Sequence, residues 1–95
     1  MSMYIVNQSP NNAHALNDCL AIANTNDVVL LIEDGVLAID QALPLLISAS
    51  ANIYVLKEDI AKSTVELNVP AAIQVVDYAG FVSLCEMNNP ISSWF

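Results

Sequence analysis

The chain has 95 residues, 56% of them hydrophobic and only 13% charged, with ten carboxylates against two lysines and a net charge of −8. Two cations cannot neutralise a run of phosphates, which argues against direct binding of nucleic acid or of an anionic membrane surface by this chain. No stretch reaches the ~18 uninterrupted apolar residues of a membrane span, and Met1-Ser2-Met3-Tyr4 lacks both the positive n-region and the long apolar run of a secretion signal.

Residues 1–95 are expected to fold as one domain that leaves roughly 5,300 Å² of surface exposed. Soluble domains carry about 25% charged residues, so this surface is short of charge. The expectation is a large apolar patch covered by other protein, since such patches mark interaction sites and obligate interfaces resemble a domain core cut in half.

In chain order, Met3-Tyr4-Ile5-Val6 is aromatic and β-branched and predicts a first strand. Pro10 biases Ser9 away from helix and suits a helix start. Residues 11–23 predict a helix, because Leu16, Cys19, Leu20 and Ala23 fall at i, i+3, i+4 and i+7. After the polar turn Asn24-Thr25-Asn26-Asp27, the unbroken apolar run Val28–Ile32 suits a strand covered on both faces. Glu33-Asp34-Gly35 ends it. Residues 36–50 have a helical pattern broken at Pro44, which starts a second helix. Ile53–Leu56 predicts a third strand. Lys57–Lys62 predicts a short helical turn with Glu58 and Lys62 spaced for an i, i+4 pair. Ile73–Val76 predicts a fourth strand, closed by Asp77. Residues 78–88 predict a last helix with Phe81, Leu84 and Cys85 on one face, and Asn89–Phe95 remains as a tail with Pro90 and the aromatic pair Trp94-Phe95.

Strands alternating with helices imply right-handed crossovers and a mostly parallel sheet of four to five strands between two helical layers, a three-layer α/β/α fold. The chemistry-bearing residues are few. Cys19 and Cys85 lie far apart with no CxxC or ligand-spaced cluster, so neither a disulfide framework nor a metal site is indicated, and the cytoplasm is the expected compartment. Cys19 stands mid-helix on the apolar stripe with no cation nearby in sequence, the setting of a packed thiol rather than a reactive thiolate. Cys85 lies on the apolar face of the last helix. His14 is five residues before Cys19, about 500° around a helix and so ~140° off its face, which argues against a Cys–His pair. Glu33, Asp34 and Asp77 close strands at the end of the sheet where α/β proteins bind ligands. The plainer alternative is that Asp34-Gly35 makes a turn and Asp77 caps the last helix. With Gly35 and Gly80 the only glycines, nucleotide-binding fingerprints are excluded and no cofactor is expected. Trp94 and Phe95 suit either docking within the chain or contact with another subunit.

Taken together, Asn7-Gln8-Ser9-Pro10, Leu30-Leu31-Ile32-Glu33-Asp34-Gly35-Val36, Tyr54-Val55-Leu56 followed by Asp59, Val76-Asp77-Tyr78 with Phe81-Val82, and the near-terminal Trp94 resemble the TusB/DsrH family over the whole chain. The resemblance implies a DsrEFH-like fold and assembly with TusC/DsrF-like and TusD/DsrE-like subunits into a heterohexamer. It implies a complex that takes persulfide sulfur from a TusA-like carrier and passes it to a TusE-like one, toward 2-thiouridine at the tRNA wobble position. In the Dsr branch the related complex serves dissimilatory sulfur oxidation. The main sulfur-carrying cysteine of such complexes belongs to the TusD/DsrE-type subunit. Some DsrH proteins keep a cysteine in the first helix, and Cys19 matches that position, which makes it the candidate persulfide carrier. Three readings stand: a Tus-type subunit with no chemistry of its own, a DsrH-type subunit, and an autonomous sulfurtransferase using Cys19.

Overall fold

The computed structural model describes residues 2–10 and 15–94, the last of these through its backbone. Among these residues five strands, β1 (Met3–Val6), β2 (Val28–Leu31), β3 (Asn52–Leu56), β4 (Gln74–Val76) and β5 (Ile91–Trp94), form one sheet in the order β4-β3-β2-β1-β5. Every neighbouring pair is parallel. The helices are α1 (Ala15–Ile22), α2 (Ala38–Gln41), α3 (Leu43–Ile47), α4 (Lys57–Lys62) and α5 (Tyr78–Met87), with a 3-10 turn at Glu33–Leu37.

Parallel pairing explains the strand compositions. Each strand needs a crossover, and crossovers put helices on the faces of the sheet. β1 to β4 step in one direction, so their connections share a face, and the return from β4 past β1 to β5 places α5 on the other. The core divides accordingly. Val6, Val29, Leu31, Ile53 and Val55 pack with Leu16 and Cys19 of α1, Ile39 of α2, Leu46 of α3 and Ile60 of α4. Met3, Ile5, Val28 and Leu30 pack with Phe81, Leu84 and Cys85 of α5. All four residues of β2 are buried, because alternate side chains enter different layers. The predicted three-layer α/β/α arrangement is the one observed. The exposed surface is 5230 Å².

Three local departures from expectation have clear causes. The tail is not a loose end: β5 adds to the open edge of β1, with Met3↔Ile91 through Val6↔Trp94 in register. Of its residues only Ile91 and Trp94 favour strands, so a tertiary partner sets the conformation. Residues 36–50 form two short helices after a 3-10 turn, and the break comes at Ala42 (φ −141°, ψ 31°), with Pro44 in the first turn of α3. That is where a residue without an N–H fits. Glu58, spaced for an i, i+4 pair with Lys62, meets a different partner. Its Oε2 accepts from Tyr78 N at 3.4 Å, at the start of α5.

The N-terminal edge of the sheet is tied by one residue. Asp27, only 7% exposed, accepts from Ser2 N through Oδ1 and from Asn24 N through Oδ2, both at 2.9 Å. Its own carbonyl accepts from Asn52 N at 3.0 Å, so β1, β2 and β3 meet here. The Asn24 and then the Ser2 amide hold its carboxyl below the usual carboxylate range. A group lowered in the folded state releases its proton more readily there than in the unfolded chain. Its stabilising contribution is therefore present above the ordinary carboxylate pKa and lost as pH falls through the lowered native value. Urea unfolding followed downward from neutral pH should show a loss of stability in that acid window. Asp27→Asn should flatten the loss, and an unchanged pH profile in the variant would assign it to other carboxylates.

Candidate functional site

Cys19 has no exposed surface. It sits in α1 with Leu16, against the sheet face formed by Val6, Val29 and Leu31. Burial, and secondarily the Asp27 carboxylate, push its thiol up to about 12. A thiolate is the nucleophilic and sulfur-carrying form, and this setting suppresses it. The charge acting on it is the Asp27 carboxylate and not a lysine. Cys85 is partly buried against the α5-side cluster, and its thiol is also raised, by burial and then by Glu86. His14 lies outside the described residues, as do Phe95 and the Trp94 side chain.

A cleft lies elsewhere, at the C-terminal ends of the strands. Gly35 presses against the end of β1: a Cβ there would stand 2.3 Å from the Val6 carbonyl oxygen. Two residues earlier, Glu33 takes φ 50°, in the left-handed region that costs an ordinary residue about 1–2 kcal/mol. Its amide donates to Asp59 Oδ2 at 2.7 Å. Asp59 lies in the first turn of α4 and is 9% exposed. The Ser9 hydroxyl and Gln41 Oε1, 3.1 Å apart, fasten the segment after β1 to α2. The result is a cleft of about 370 Å³ lined by Glu33, Asp34, Val36, Leu37, Asp59, Lys62, Ser63 and Thr64.

The structure gathers Glu33 and Asp34 of the three carboxylates expected at this end and leaves out Asp77. Asp77 caps α5, with Oδ1 accepting from Gly80 N at 2.9 Å. Among the described residues no group of three His, Cys, Asp or Glu side chains is placed to hold a metal ion. Cys19 does not line the cleft. The charge it senses, Asp27, precedes β2 at the opposite edge of the sheet. Thiol and cleft are thus separate features.

Composition and spacing missed Asp59, which organises the cleft, and Asp27, which ties the far edge. Asp59 had a signal, its place after Tyr54-Val55-Leu56 in the family resemblance, but one shared with a solvated helix start. Asp27 had only its position as the last polar residue before an apolar strand.

A family profile described as "DsrH like protein" matches residues 8–90. Protein TusB of Photorhabdus laumondii is 35% identical over 95 residues, covering 97% of this chain and 99% of that protein. The chain belongs to the TusB/DsrH family. Protein TusB of Erwinia tasmaniensis is 35% identical over 82 residues, covering 83% of this chain and 86% of the relative. Protein TusB of Yersinia pestis is 27% identical over 95 residues, covering 97% of this chain and 99% of the relative. The solution structure of protein Tm0979 from Thermotoga maritima has the same fold, with a TM-score of 0.64 over 92% of this chain and 93% of that one at 23% identity. The TusB/DsrH match takes in α1, the cleft and α5, so both Cys19 and Asp59 lie inside it. No helix among the described residues is long and apolar enough to cross a membrane.

Proposed function

We propose that this chain is the TusB-type subunit of a cytoplasmic sulfur-relay complex for tRNA thiolation, and that it supports the relay without carrying sulfur itself. The observation that carries the first half is the 35% identity to a TusB protein over nearly the whole chain. Relatives named TusB favour this branch over a DsrH-type subunit of sulfur oxidation. The finer assignment is that TusC-like and TusD-like subunits are its partners and that the complex moves persulfide sulfur from a TusA-like donor to a TusE-like acceptor. Two features support the second half: Cys19 is fully buried and its thiol is held near 12. With two lysines and a net charge of −8, the chain supplies no surface for the tRNA phosphates, so the nucleic acid is met by other proteins.

The test has two arms. Cells lacking this chain should lose most wobble 2-thiouridine, and both the natural chain and Cys19→Ala should restore it. In the assembled complex a persulfide donor should add about 32 Da per sulfur to a cysteine of the TusD-type subunit and none to the Cys19 peptide, because only an accessible thiolate reacts. Unchanged 2-thiouridine in the deletion overturns the relay reading. Sulfur on Cys19, or failure of Cys19→Ala to restore thiolation while the variant still assembles, overturns the supporting role.

A further inference from the structure

Among the described residues α5 is the only helix on its side of the sheet, and its outward face is unlike that of a helix meeting water. At 100° per residue, Phe81, Leu84 and Cys85 turn inward onto Met3, Ile5, Val28 and Leu30. The remaining face presents Tyr78, Ala79, Val82, Ser83, Glu86 and Met87, all exposed. Tyr78 is 52%, Val82 56% and Met87 74% exposed. A surface helix ordinarily carries charged or polar residues opposite its buried stripe, and a helix apolar all round is a buried one. Beyond α5 the apolar surface continues onto β5. Ile91 pairs with Met3, whose side chain enters the α5-side core, and remains 42% exposed.

Charge around this face has one sign. Residues 78–95 contain a single charged side chain, Glu86. Asp77 stands at the N-terminal end of α5 as its cap. The chain's two cations, Lys57 and Lys62, are on α4, whose Ile60 packs into the opposite layer. A second copy would therefore set carboxylates against carboxylates, and like charges facing each other across an interface oppose association.

We infer that the outer face of α5, continued by Ile91, docks a partner protein that meets it with an apolar patch rimmed by lysine or arginine. The inference rests on the subunit reading above, and it names the surface and the chemistry of the neighbour. The apolar centre supplies burial, and Glu86 and Asp77 pair with the basic rim to set orientation.

The test compares the chain alone with the assembled complex. Peroxide should oxidise Met87 readily in the lone chain and at least about tenfold more slowly in the complex, a protection equivalent to about 1.4 kcal/mol. Buried Met3 serves as the unreactive reference. Val82→Glu should fold, since the residue is largely exposed, and should bind its partners at least about tenfold more weakly. Glu86→Lys should weaken binding and reduce its sensitivity to salt. Assembly with Met87 still fully reactive, or with Val82→Glu binding unchanged, overturns the docking surface and leaves the subunit reading intact. A lone chain that dimerises through this face, and that Val82→Glu returns to monomer, overturns the choice of a basic partner. If the natural chain joins no complex, the subunit reading fails, and a lone monomer with Met87 open overturns this inference with it.

Discussion

Replacing Gly35 with alanine should destabilise the chain by about 3 kcal/mol or more, the upper end of what overpacking costs. The clash is with backbone. The added Cβ would stand 2.3 Å from the Val6 carbonyl oxygen and 3.1 Å from its carbon, and no side-chain rotation relieves that. Either the end of β1 or the 3-10 turn must move. Val6 is also a central pairing residue, joined to Leu31 of β2 and to Trp94 of β5, so a shift there disturbs two ladders. For a chain of this length total stability is about 5–14 kcal/mol, so the variant stands near the unfolding threshold. Gly80→Ala is the control. Its Cβ would meet the Val76 side chain at 2.9 Å, on an edge strand that can give. Alanine also recovers up to about 1 kcal/mol of helix propensity inside α5. Urea midpoints should show a large loss for Gly35→Ala and a small change for Gly80→Ala. Equal effects would mean that the close approach to β1 is not what requires a glycine at position 35.

What could be read from the residues and what could not follow from the range of the forces involved. β2 was legible because an unbroken run of Val28, Val29, Leu30 and Leu31 has only one economical use, a strand buried on both faces. The inward stripe of α1, Leu16 and Cys19, was legible because helical periodicity is local. So was the Asp77 cap, since an N-cap needs only the amide three residues on. β5 was hidden because its conformation comes from β1, more than eighty residues earlier in the chain. The role of Glu58 was misassigned for the same reason: its i, i+4 neighbour Lys62 is written in the sequence, whereas the Tyr78 amide it meets arrives only through the fold. The cleft needed three segments at once, the turn at Glu33, the end of β1 at Gly35 and the start of α4 at Asp59. The setting of Cys19 was foreseen as a packed thiol from its stripe, but the contribution of Asp27 depends on where β2 begins.

Asp59→Ala should cost about 1.5–3 kcal/mol, the range for hydrogen bonds to charged groups. The variant removes the acceptor of the Glu33 amide, a bond of 2.7 Å made by a carboxylate only 9% exposed. The loss is compounded by backbone strain, because Glu33 holds φ 50° and something must keep it there. Asp59→Asn retains an oxygen in the same place and should cost less than the alanine variant. Glu33→Gly tests the strain from the other side. Glycine enters the left-handed region without the Cβ penalty, so this change should raise stability by about 1 kcal/mol, the low end of that penalty. Elsewhere on the chain a new glycine would lower it. The two effects should couple, because residues sharing one hydrogen bond are not additive: in the Glu33→Gly background, Asp59→Ala should cost less than it does alone. Urea midpoints for the four chains of the cycle measure this. A silent Asp59→Ala, or a destabilising Glu33→Gly, would show that the turn holds its shape without this clamp. The 3-10 turn carries Glu33, Asp34, Val36 and Leu37 into the cleft wall, so the clamp that fixes Glu33 also fixes the shape of the cleft.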